Sequence, residues 1–133
     1  MTDSLQAGLD SYVSDWIVRG DNDLSNRLPP VVTAVSIPTG TRNVPPGPCE
    51  LRITFSEPMA DQSWSVIEYG RDSIPKIDGL PQLSAEDTEL SLSLVLEPGR
   101  IYAFWLNNNA HFNFKDRSGT PLVPYLVGFH TAP

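Results

Sequence analysis

The run from Leu96 to Leu106, LEPGRIYAFWL, constrains the fold more than any other stretch of the chain. An alternating leucine segment ends in Pro98-Gly99, and a tyrosine follows three residues after the glycine. Pro98 presets φ and Gly99 tolerates positive φ, so the backbone reverses sharply here. Tyr102 then stands near the start of an apolar strand. From there its hydroxyl can reach back to backbone groups that the turn leaves unpaired. Leu96, Pro98, Gly99 and Tyr102 therefore read as a structural corner between two strands. With Tyr102 inward, Phe104 and Leu106 share its face, while Ile101, Ala103 and Trp105 face outward.

The segments around the corner repeat every two residues. VVTAVS, from Val31, is expected as a first strand, and IPTGTRNVPPGP as a long Pro/Gly loop. Cys49 to Ser56 alternates, with Leu51, Ile53 and Phe55 on one face and Glu50, Arg52 and Thr54 on the other. Ser63 to Tyr69 reads as a third strand. Turn signals follow around Ile74, Ile77 and Leu80. Glu89 to Leu96 places its leucines on one side, and Arg100 to Leu106 follows the corner. Asn107 to Thr120 is a polar loop, and Val123 to Thr131 is a last strand with Val123, Tyr125, Val127 and Phe129 in phase. About seven strands with no helix between them predict an all-β sandwich rather than a parallel fold. The 13 prolines and 9 glycines fit its many turns.

The N-terminal stretch differs. Leu5, Leu9, Tyr12, Val13, Trp16 and Ile17 recur at spacings of three and four, which predicts an amphipathic helix over 3–19. Asp3 or Ser4 can cap it, and Gly20 can end it. Residues 21–30 are polar, close on Pro-Pro and read as a linker. The expected organisation is a helix in 1–20, a linker over 21–30 and one β domain over 31–133.

A net charge of −7 argues against nucleic acid and against anionic membrane surfaces. No stretch approaches the roughly 18 apolar residues of a membrane span. The N-terminus lacks the basic segment and apolar core of a secretory signal. One cysteine rules out an internal disulfide; Cys49 is in phase with Leu51 and reads as a buried thiol.

Four phrases occur in order: VVTAVSIPTGTRNVPPG, ITFSEPM, LEPGRIY and FKDRSGTP. Together they resemble the bacterial Ig-like domain of the S-layer-protein type over Val31 to Thr131. That family reads V-x-x-V-S-P…G-x-x-x-V, F-S-x-P-M, L-x-P-G-x-x-Y and K-D-x-x-G-x-P. Ile37 departs from it by separating Ser36 from Pro38. The resemblance implies an immunoglobulin-like β-sandwich with a tyrosine corner. It also implies a non-catalytic structural or interaction module of a bacterial cell-envelope or secreted protein. The alternatives are a carbohydrate-binding accessory domain of a secreted enzyme, or a small intracellular protein that assembles through its helix.

In such a sandwich the loops 57–62 and 107–120 lie at one end, so Glu57, Asp61 and Asp116 can converge. Oxygen clusters suit calcium, but the spacing matches no known loop, and turn chemistry around Gly119 and Pro58 is the plainer expectation. No metal and no cofactor is therefore expected. A binding surface is sought at Trp105, Trp64, His111, Phe112 and Phe114. An outward Trp105, joined by Trp64, can stack on a sugar. Alternatively the N-terminal helix covers this face with Leu9, Val13 and Trp16, or an upstream domain or protein partner does. The loop NNNAHFNF offers recognition groups, unless its phenylalanines cap the core. His111 and His130 lack metal-ligand spacing, and no nucleophile elbow or phosphate loop occurs, so no enzyme is expected.

Overall fold

The computed structural model describes residues 28–133. The expected helix, and the linker up to residue 27, lie outside them. Among the described residues the fold is all-β, with two sheets. The strands are β1 (Val32–Val35), β2 (Thr41–Val44), β3 (Gly47–Phe55), β4 (Val66–Glu68) and β5 (Lys76–Ile77), followed by β6 (Gln82–Leu83), β7 (Glu89–Leu96), β8 (Ile101–Leu106) and β9 (Tyr125–Thr131).

The first sheet runs β1-β3-β7-β5, with β6 also on β7; the second runs β2-β9-β8-β4. Its central pair is β3 on β7, antiparallel with Leu51 opposite Leu92 and Ile53 opposite Leu90. In the second sheet β8 and β9 pair antiparallel, with Tyr102 opposite Phe129 and Phe104 opposite Val127. These inward residues are all buried and meet in one core with Phe55, Met59, Phe114 and Leu122. The period-two pattern dictates this, because each alternation turns one side chain of every pair toward the facing sheet. Burying this apolar surface is the main force holding the sheets together.

The corner forms as its chemistry requires. Gly99 takes φ of 64°, and the Glu97 amide donates to the Tyr102 hydroxyl at 2.9 Å. A second latch comes from β9: the Thr131 hydroxyl donates to the Glu97 carbonyl at 2.7 Å and accepts from the Arg100 amide at 2.7 Å. The Tyr102 ring lies 5.8 Å from Phe129 and carries the Arg100 guanidinium 5.3 Å from its centroid.

Among the described residues nine strands form where about seven were expected, because the stretch read as turns around Ile77 and Leu80 supplies the two-residue strands β5 and β6 on β7, and four further expectations need correction. The Pro/Gly stretch is not all loop. Thr41 to Val44 form β2, parallel to β9, with Thr41 opposite Phe129 and Val44 opposite Thr131. Val44 is buried there, which only the facing strand could dictate. The third strand shrinks to Val66–Glu68, because the hydroxyls of Ser63 and Ser65 bond the Asn113 backbone of the neighbouring loop. The last strand starts at Tyr125: Val123 is exposed and gives its amide to the Pro30 carbonyl at 3.0 Å. Cys49 is half-buried rather than enclosed, and burial first, then the neighbouring Glu50 charge, pushes its thiol up from 9.0.

Candidate interaction surface

The outward residues of β8 build a face. Ile67, Trp105 and Leu126 lie side by side across β4, β8 and β9, in register. One step along, Ala103 is opposite Gly128, and beyond that Ile101 is opposite His130. Gly128 and Ala103, having the smallest side chains, give this face a low floor, and the Thr39 methyl and Ala103 Cβ each lie 3.8 Å from where a Gly128 Cβ would stand. Tyr69 follows β4, donates its amide to the Ala103 carbonyl at 3.2 Å, and sets its ring 6.3 Å from Trp105. Trp105 is half-buried, whereas Tyr69 and Ile101 are 62% and 64% exposed. The result is a contiguous apolar surface on the outside of the second sheet.

Trp64 does not join Trp105. It packs against the core with its ring 5.8 Å from Phe114. Trp64 instead comes together with His111. Both line a groove of about 600 Å³ along β4, with Ser65 to Glu68, Ile74 and Asn113. Along β4, Ser65, Ile67 and Tyr69 face β8, since the Ser65 carbonyl takes the Asn107 amide and Ile67 is opposite Trp105. By the alternation of a strand, the backbone groups of Val66 and Glu68 face the groove.

The loop 107–120 splits its two phenylalanines. Phe114 is buried and caps the core, while Phe112 is 53% exposed. Asn107 explains the split. It is fully buried at φ of 66°, a conformation asparagine tolerates. Its side chain donates to the Phe114 and Leu122 carbonyls at 2.8 and 3.1 Å and accepts from the Phe114 amide at 3.0 Å. Asn108 then holds the amides of Ala110 and His111 at 2.9 and 2.7 Å. The three asparagines read as a uniformly polar loop in the sequence; the cue for the buried one is its place directly after an apolar strand, where asparagine tolerates the positive φ that ends it.

The acidic end also resolves. Loops 57–62 and 107–120 do meet, through a bridge between Met59 and Asp116. Asp116 is buried; its Oδ1 accepts from the Ser118 amide at 3.0 Å, the Ser118 hydroxyl at 2.7 Å and the Thr120 amide at 2.9 Å. Burial alone would raise the Asp116 carboxyl, but these bonds and one from Glu57 outweigh it and hold it below 3.8. Glu57 is pushed above 4.5, first by burial, then by sharing a hydrogen bond with Asp116 and by its charge. Of the two expectations for Glu57, convergence with Asp116 and service to the turn before Pro58, the hydrogen bond goes with the first. Asp61 accepts from the Gln62 amide at 2.8 Å. Among the described residues no group of three His, Cys, Asp or Glu side chains is placed to hold a metal ion.

No protein-family model matches the sequence, and no curated protein matches it either.

Proposed function

We propose that the chain is a non-catalytic immunoglobulin-like module of a bacterial cell-envelope or secreted protein, acting as scaffold and interaction surface. One observation carries this reading. Apart from β6 on β7 and β2 added in parallel to β9, the strand orders β1-β3-β7-β5 and β4-β8-β9 correspond to the orders ABED and CFG of immunoglobulin sheets, with the Tyr102 corner at the start of the F-equivalent strand. The corner and the core residues are absorbed by holding two sheets together. Among the described residues the two histidines stand apart: His111 lies in the loop after β8, and His130 lies opposite Ile101 at the other end of that strand. What the molecule presents to partners is the apolar face around Trp105 and the groove along β4. Fractionation of the native host tests the reading. Recovery in the envelope or culture medium is expected, and recovery wholly in the cytosol contradicts it.

Tyr69 beside Trp105 favours a second reading, a carbohydrate-binding accessory domain. Their planes are tilted by 42°, however, rather than laid out as one flat platform. A glycan array decides between the two: saturable binding lost in Trp105→Ala would establish the second.

A further inference from the structure

Among the described residues the apolar face of the second sheet is edged by Thr39 at Gly128 and left open at Tyr69 and Ile101. We propose that residues 3–19 of this same chain dock on it as a helix, closing the face intramolecularly. This deepens the proposed function by naming what occupies that surface, and it rests on that reading only in treating the face as a contact surface.

The shape of the face fits a helix. Ile101 and Trp105 stand four residues apart on β8, about 13 Å, with Ala103 and Gly128 as the low floor between them. A helix with side chains is about 10–12 Å across. The complementary stripe is Leu5, Leu9, Val13, Trp16 and Ile17. As a helix, residues 3–19 would be about 25 Å long, against about 20 Å for the length of β8.

The point where the undescribed chain arrives also fits. The Pro30 carbonyl is held by Val123, the neighbour of Pro124. Pro124 lines a hollow of about 280 Å³ with Trp105, Asn108 and Asn109. Leu28, Val31 and Val123 are exposed at the same place, by 63%, 39% and 42%. The chain thus enters the sheets near the Trp105 end of the face. Residues 21–28, fully extended, reach about 26 Å, more than enough to turn onto the sheet. The direct path puts Trp16 and Ile17 near Leu126 and Leu5 near Ile101. A tether this short raises the effective concentration of the segment into the millimolar range. A second copy has no such advantage, and it carries the same charge of −7.

The test uses the full chain with Cys49→Ala and a spin label at either Ser4→Cys or Ser11→Cys, both opposite the apolar stripe. Amide signals of Ala103, Trp105, Leu126 and Gly128 should lose more than half their intensity. Those of Glu50, Ser91 and Leu83 in the other sheet should keep theirs. Labelled chain mixed with isotope-enriched unlabelled chain should leave all signals intact. Leu9→Asp with Val13→Asp alters no residue of the sheets and should restore the lost intensity. Unaffected signals on the face, loss only in the mixture, or loss that survives the two aspartates would each overturn the proposal. Localisation does not enter this result, so it and the fractionation can fail separately.

Discussion

Tyr102→Phe removes one oxygen atom and little else. The ring keeps its place 5.8 Å from Phe129 and under Arg100. What is lost is the 2.9 Å bond from the Glu97 amide. A net hydrogen bond contributes about 1 kcal/mol. Glu97 is exposed, so water can partly satisfy the freed amide and the cost should not reach the ~3 kcal/mol of a fully orphaned donor. The same turn is held a second time by Thr131, which bonds both the Glu97 carbonyl and the Arg100 amide. Thr131→Val should therefore cost about 1–2 kcal/mol. The double variant should depart from additivity by about 0.5 kcal/mol or more, because both hydroxyls grip one turn. Urea unfolding monitored by fluorescence reads all three. For a domain this size, with a slope of about 1–1.5 kcal/mol per molar, Tyr102→Phe should lower the midpoint by roughly 0.7–1 M at constant slope. A midpoint unchanged in Tyr102→Phe, or strict additivity in the pair, would refute the corner as a structural latch.

Asn107→Ala should cost about 3 kcal/mol, since three buried backbone partners lose their bonds at once and a positive φ is imposed on alanine; a midpoint shift near zero in the same assay contradicts this. The Glu57 and Asp116 carboxyls predict opposite pH effects. Glu57 binds its proton more tightly when folded, so stability rises as pH falls through its raised pKa toward 4.5. Asp116 is depressed, so its contribution is intact above 3.8 and is lost as pH falls below that. Thermal melts across this range should show a rise and then a fall, and Glu57→Gln should remove the rise; a monotonic profile in the parent chain would contradict the pairing. Millimolar calcium should leave the melting midpoint where it is, because the Asp116 oxygen is already taken up by Ser118 and Thr120. A calcium-dependent rise would overturn that reading.

Much of the core was legible because β-strand periodicity is local. Leu51, Ile53 and Phe55, the leucines of β7, and Tyr102, Phe104 and Leu106 all turn inward as their alternation requires. The corner was legible too, because Pro98, Gly99 and Tyr102 encode a turn and its hydrogen bond within a few residues. What escaped is non-local. The strand of Thr41 to Val44 exists because β9 offers it a parallel edge, and no composition of its own announces that. Val123 has the right phase yet leaves the sheet to bond Pro30. Of the surface candidates, Trp105 faces outward as its phase requires. Trp64 and Phe114 turn to each other, and that choice depends on how two loops distant in sequence meet.

In our proposal residues 3–19 cover the outer face of the second sheet. Hydroxyl-radical footprinting of the full native chain tests this most directly, each site being normalised to its intrinsic reactivity. Leu80 and Phe112, 83% and 53% exposed and both outside the strands, serve as internal references. Tyr69 and Ile101 have comparable exposure, at 62% and 64%. The prediction is that Tyr69 and Ile101 are strongly protected relative to Leu80 and Phe112, and that Leu9→Asp with Val13→Asp removes the protection. Oxidation of all four at matching normalised rates in the unaltered chain would contradict it.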